Sequence, residues 1–246
     1  MLQINIFKTK NELGKAAANK AAEVMQYSIN KYDKACFVAA TGASQFEFLK
    51  HLCKHKEIDW NKTEMFHLDE YIGLPLRHPA SFRNYLTKRI VGNINPGKVY
   101  FIQGDAQDPV NECKRLNNLI FKKKVDVIFV GIGENGHLAF NDPPADFITK
   151  DPYIIVNLDE RCRKQQIGEG WFKSLKEVPK KAISMSINEI IRARTIICVC
   201  PDKRKANAVK NCLSENAKVS PQYPASILKT HPEVYCYLDK QSACLL

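Results

Sequence analysis

The stretch FHLDEYIGLP places Asp69, Glu70 and Tyr71 at the end of an apolar run. Two adjacent carboxylates cannot both face a core. At the carboxyl end of a strand at least one faces a cleft, where partial burial tunes it as a base. Asp69 is the candidate base, with Glu70 beside it; the competing reading is a helix cap or a surface acid pair. A second stretch, VDVIFVGIGENGHLAFNDPP, carries Gly131, Gly133 and Gly136 on a tight loop that delivers Asn135, His137 and Asp142 to a common region. A histidine with a nearby carboxylate can shuttle protons, the carboxylate fixing its tautomer and basicity. A histidine hydrogen-bonded for structure alone is the competing reading. The glycine spacing also matches a dinucleotide loop, but that motif opens a helix, whereas Asn141-Asp142-Pro143-Pro144 breaks the chain here. The nucleotide reading is rejected.

Two further stretches suit an anion. In ACFVAATGASQFEFLKHL an apolar strand runs through Thr41, Gly42, Ala43 and Ser44 directly into a helix. The glycine admits close backbone approach, the hydroxyls donate, and the helix start adds free N–H groups, which together suit a phosphate; an ordinary N-cap at Ser44 is the alternative. In VCPDKRKANAVKNCL, Arg204 and Lys205 fall in the first turn of a helix, where cations oppose the dipole unless an anion compensates. A phosphate clamp and a solvated basic turn both fit.

Positioning such groups requires strands that end at a common edge. Apolar runs of strand length alternate with longer segments of helical period, which predicts the α/β class: a doubly wound, mostly parallel sheet with helices on both faces, Rossmann-like in type. The expected strands are Ile4 to Phe7, Ala35 to Ala40, Glu64 to Tyr71, Val99 to Gln103, Val125 to Gly133, Tyr153 to Val156, Ala182 to Ile187, Thr195 to Cys200 and Val234 to Asp239. Helices are expected over Asn11 to Lys31, Gln45 to His55, Ser81 to Val91, Pro109 to Lys124 and Lys203 to Leu213. No linker divides the 246 residues, so residues 1–246 are read as one domain.

The N-terminal MLQINIFKTKNELG lacks the apolar centre of a secretory signal. The longest apolar runs are far shorter than the ~20 residues that cross a bilayer, so no membrane association is expected. Nine cysteines, an odd number scattered singly, fit a reducing and hence cytoplasmic setting. Cys198 and Cys200 have no second Cys/His pair to complete a zinc set, so no metal is expected. The net charge of +11 is spread along the chain, and its one compact run, Lys122 to Lys124, reads as a solvated helix end. No nucleic-acid motif accompanies it, so nucleic acid is not an expected partner.

Together the four stretches resemble the glucosamine-6-phosphate deaminase family, which shares its fold with the 6-phosphogluconolactonases. The resemblance runs from the Thr41–Ser44 turn through LDEYIGLP and GIGENGHLAFNDP to PASILKTHPEVYCYLD. Lactonases typically carry an acidic-Gly-His-Thr-Ala-Ser-Leu-Phe sequence at the loop where this chain reads HLAFNDP. The resemblance implies that Asp69 moves a proton from C2 to C1 of the open-chain amino sugar and that His137 assists ring opening. Glucosamine 6-phosphate would then yield fructose 6-phosphate and ammonia without metal or organic cofactor. Galactosamine 6-phosphate, a lactone substrate, or a sugar-phosphate sensor without turnover are the alternatives. Three departures stand out: Asn135 where well-studied deaminases have aspartate, Asp142 where they have glutamate, and no counterpart in QQIGEGWFKSL to their phosphate-binding arginine. Arg204 beside Lys205 could replace that arginine. The short segment after the last strand implies no allosteric hexamer, leaving a monomer or small homo-oligomer.

Overall fold

The computed structural model describes residues 1–246. Ten segments form strands: β1 (Leu2–Phe7), β2 (Ala35–Ala39), β3 (Thr63–His67), β4 (Asp69–Tyr71), β5 (Lys98–Val99), β6 (Val127–Val130), β7 (Tyr153–Asn157), β8 (Lys181–Met185), β9 (Thr195–Cys200) and β10 (Val234–Asp239). Seven of them build one sheet in the order β1-β10-β9-β6-β2-β3-β5, every neighbouring pair parallel. Strands β2, β6 and β9 are buried at every residue, as expected for strands covered on both faces. The mostly parallel α/β sheet read from the sequence is present.

The helices are α1 (Lys10–Tyr32), α2 (Phe46–Leu52), α3 (Phe82–Leu86), α4 (Gly92–Ile94), α5 (Pro109–Ile120), α6 (Glu160–Gly168), α7 (Ile187–Arg192) and α8 (Ala206–Leu213). Helix α1 starts at a capping box in which Thr9 accepts from the Glu12 N–H and the Glu12 carboxylate accepts from the Thr9 N–H. It buries Ala17, Ala18, Ala21 and Ala22, small side chains that let it lie close across the sheet and against α2, with Met25 filling the space beside them.

A second, three-stranded antiparallel sheet, β4-β8-β7, was not foreseen. The run Glu64 to Tyr71, read as one strand, belongs to both sheets. It pairs with β2 up to His67, breaks at Leu68, and pairs with β8 from Asp69. Buried His67 fixes the break: its Nδ1 donates to the Asp69 carbonyl (3.0 Å) and its Nε2 accepts from the Ile102 N–H (2.9 Å). Burial pushes this imidazole down to about 3, so it stays neutral.

The strand expected over Val99 to Gln103 shrinks to the two residues of β5. The helix expected to reach Lys124 stops at Ile120, because the lysines turn back to the sheet, where Lys123 pairs with Glu64 at 2.5 Å. Helices α6 and α7, and the 3-10 segment Pro224–Thr230, were missed in the sequence.

Candidate active site

A cleft opens at the carboxyl ends of β2 and β6, beside the start of β4. Thr41, Gly42, Ala43 and Ser44 form one wall. Gly42 adopts φ +95°, a region closed to most side chains, and so turns the chain from β2 into the short 3-10 turn before α2. The Tyr85 hydroxyl donates to the Gly42 carbonyl (3.0 Å) and braces that turn. Lys205 is 3% exposed, lines the same cleft and has no carboxylate partner in the chain. A buried ammonium without a counter-ion is a demand for an anion. Arg204 is placed otherwise: half-exposed, it pairs with Asp202 (3.3 Å) and Glu134 (3.4 Å) in a neighbouring groove.

Asp69 faces the cleft at 6% exposure, and its carboxylate makes no hydrogen bond within the chain. Burial, with the adjacent Glu70 charge adding to it, raises this carboxyl well above the usual range. Glu70 points the other way. Its Oε1 accepts from the N–H groups of Tyr71 (3.0 Å) and Phe82 (3.1 Å), and its Oε2 from the Ser81 hydroxyl (2.8 Å) and the Arg83 N–H (2.9 Å). Those bonds tie β4 to the start of α3 and engage both oxygens of Glu70.

The glycine-rich loop lays His137 on its own backbone. A Cβ at Gly133 would sit 2.3 Å from the ring, so only glycine leaves the space. His137 Nδ1 lies 3.1 Å from Asp142 Oδ1. Burial raises Asp142, but hydrogen bonds from His137, Asn135 and the Asp159 N–H outweigh it and leave the carboxyl below its ordinary value. An ionised Asp142 only accepts, so Nδ1 donates to it, and Nε2, which has no partner in the chain, is left to the cleft. Asn141 pins the loop to β8 through Nδ2, which donates to the Leu138 and Met185 carbonyls (2.8 Å each). Gly136 turns the loop at φ +88° against Cys212 and Tyr223 and does not line the cleft.

Asn135 stands behind the histidine. It accepts from the His137 N–H (3.2 Å) and donates through Nδ2 to Asp142 (2.9 Å) and to Asp159 (3.1 Å). Asp159 escaped the sequence reading. It caps α6 by accepting from the Cys162 N–H (2.5 Å), and its own N–H donates to Asp142 (3.0 Å). An aspartate three residues before a helical N–H is a readable N-cap signal, obscured here by the polar, weakly periodic sequence of α6. Gln165, Gln166 and Glu169 from α6 and its end also line the cleft. Glu169 accepts from Gln165 (2.8 Å) and from the Trp171 indole (3.1 Å).

The cleft thus joins a desolvated carboxyl group, an oriented imidazole and an unpaired ammonium, which suffices for proton transfer on an anionic substrate.

Comparison with known proteins is consistent with this chemistry. A family model described as glucosamine-6-phosphate isomerases/6-phosphogluconolactonase matches residues 8–236. A glucosamine-6-phosphate deaminase of Thermoanaerobacter pseudethanolicus is 34% identical over 235 residues, covering 93% of this chain and 90% of that protein. One from Clostridium novyi is 33% identical and covers both chains completely. Among solved structures, a monomeric glucosamine-6-phosphate deaminase superposes with a TM-score of 0.89 at 28% identity, covering 99% of this chain and 100% of that one. The 6-phosphogluconolactonase of Trypanosoma brucei, at 18% identity and TM-score 0.81 over 100% and 99% of the two chains, shares the fold.

Proposed function

Because the chain belongs to the family of glucosamine-6-phosphate isomerases and 6-phosphogluconolactonases, we propose that it is an isomerising deaminase that converts glucosamine 6-phosphate into fructose 6-phosphate and ammonia. The observation that carries this reading is the convergence of the unpartnered Asp69 carboxylate and the free Nε2 of His137 on one cleft. A free carboxyl at this place suits the transfer of a carbon-bound proton, since no group of the chain competes for its oxygens.

In this mechanism the Thr41–Ser44 turn and the Lys205 ammonium hold the phosphate. His137 Nε2 takes the proton of the C1 hydroxyl and returns one to the ring oxygen as the C1–O5 bond breaks and the aldehyde forms. Asp142 stabilises the transient imidazolium. Asp69 then removes the C2 proton while the substrate's ammonium gives one to the C1 oxygen, forming an enolamine, and Asp69 delivers its proton to C1, giving a protonated ketimine at C2. Water adds to C2 and ammonia leaves. Loss of negative charge at Asn135 is offset by Asp159, so the histidine keeps two carboxylates nearby.

The relative solved as a monomer supports a monomeric chain, and nine free cysteines support a cytoplasmic setting. No helix is long and apolar enough to cross a membrane. The test is ammonia release from glucosamine 6-phosphate and galactosamine 6-phosphate in parallel, beside hydrolysis of 6-phosphogluconolactone. Ammonia from either sugar upholds the deaminase, and the ratio of the two rates gives the preferred epimer. Lactone hydrolysis alone overturns it.

A further inference from the structure

Cys162 in the first turn of α6 is 1% exposed, and nothing in the proton-transfer scheme uses it. Its Sγ, a carboxylate oxygen of Asp142 and a ring nitrogen of His137 all lie within 4.8 Å of one another. The three come from separate segments, a loop histidine, an acid five residues on and a helix residue a further twenty along, so no spacing pattern in the sequence announces them.

We propose that His137 Nδ1, the Asp142 carboxylate and the Cys162 thiolate form a binding site for a zinc-class transition metal, and that its occupation switches the enzyme off. A tetrahedral zinc ion with bonds of about 2.0–2.3 Å sets neighbouring ligand atoms roughly 3.4 Å apart. His137 Nδ1 and Asp142 already stand 3.1 Å apart, so most of the contraction falls on the Cys162 side chain. One imidazole, one carboxylate and one thiolate match zinc, cobalt or copper; magnesium and calcium, which require oxygen donors, are disfavoured. Two anionic ligands neutralise a divalent ion. Asn135 and the Asp159 N–H, both bonded to Asp142, supply the outer hydrogen bonds that orient a ligating carboxylate. The fourth position is left to water.

Binding releases the thiol proton to solvent as the metal–sulfur bond forms. Metal on Nδ1 also forces the ring proton onto Nε2, the atom that must accept the sugar's C1 hydroxyl proton. The imidazole can then no longer act as a base. This loss of turnover rests on the deaminase reading, whereas the binding does not.

The experiment titrates the purified full-length chain with Co²⁺ in chelator-free buffer and follows the thiolate-to-cobalt absorption band, in parallel with ammonia release under Zn²⁺. The wild type is expected to show the band, saturating at about one equivalent and bleached by Zn²⁺, and to lose turnover roughly tenfold or more, with recovery on adding EDTA. Cys162→Ser and Cys162→Ala are expected to keep metal-free turnover, to lose the band, and to need at least roughly tenfold more Zn²⁺ for the same inhibition. No band in the wild type, or an unchanged titration in both variants, assigns any binding to other thiols such as exposed Cys244 and overturns the proposal. A band that depends on Cys162 in a protein that releases no ammonia from either sugar upholds the metal site and removes the deaminase reading instead.

Discussion

Holding Asp69 ionised and without a hydrogen-bond partner destabilises the folded chain, and that cost is the source of its basicity. Its folded value lies well above the ordinary 3.8 of an unfolded aspartate. Between those two values the native state binds more protons than the unfolded one, so stability falls as pH rises through the window, and the penalty is complete above it. Asp69→Asn removes the charge but not the shape. It is expected to raise the melting temperature at about pH 8, with the gain vanishing towards low pH, while isotope exchange at C2 drops roughly 10²–10⁴-fold. A variant that melts lower than wild type at both pH values, or that keeps exchanging, would remove Asp69 from the role. The wild-type acid limb of kcat/KM should correspondingly lie above the ordinary carboxylate range. Asn135 is held by a different constraint, since its Nδ2 donates to the carboxylates of both Asp142 and Asp159. Asn135→Asp sets three carboxylates together and removes the amide that donates to two of them; the expected cost is about 1–3 kcal/mol in stability, with at least a tenfold loss of kcat. Adding Asp159→Asn puts an amide back into the cluster without spoiling the α6 cap, because Asn caps as well as Asp. The double variant should recover most of both losses, and a double-mutant cycle showing simple additivity would refute the coupling. The residues legible in the sequence, Asp69, His137 and Asp142, sit beside glycines and prolines that mark the loops holding them. Asp159 and Cys162 were not legible as partners of His137, because only the packing of α6 against the loop brings them there.

Between residues and molecule stands the question of where strands stop. The inner parallel strands β2, β6 and β9 could be read because burial on both faces leaves continuous apolar runs such as Thr195–Cys200. The second sheet could not, because β4 continues the apolar run of β3 and only the hydrogen bonds of His67 part them. Its strand β7, with alternating exposure, and β8 were read as strands, but their antiparallel partnership is a tertiary fact without a local signal. Glu70 belongs to this scale as well. Read from the sequence as a member of the reacting set, it sits fully buried as the bracket between β4 and α3, with four donors on its two oxygens. Glu70→Gln turns an amide NH₂ against two of those donors, an expected loss of about 2–4 kcal/mol, lowering the melting temperature by several degrees. The folded fraction should retain kcat within a few-fold. A collapse of kcat with an unchanged melting temperature would instead make Glu70 a participant in the chemistry.

At the scale of the whole molecule, a net charge of +11 surrounds a cleft whose own walls carry acids as well as a cation. Long-range attraction and local grip are therefore separable. The field of the whole chain acts over the Debye length, which shrinks from about 30 Å at 0.01 M salt to about 8 Å at 0.15 M. For a phosphorylated sugar kcat/KM is expected to fall several-fold over that range while kcat holds, since steering changes encounter and leaves the bound complex alone. Local grip belongs to Lys205, the buried ammonium without a carboxylate partner, and not to Arg204, which is already paired with Asp202 and Glu134. Lys205→Met should raise KM roughly tenfold to a hundredfold, the loss of one charge-assisted contact, and yet leave the salt slope almost as steep, because one charge of many has gone. Arg204→Met should change KM little. If Lys205→Met abolished the salt dependence altogether, the attraction would be a contact effect of that one ammonium, and the basic surface would have to serve some other end.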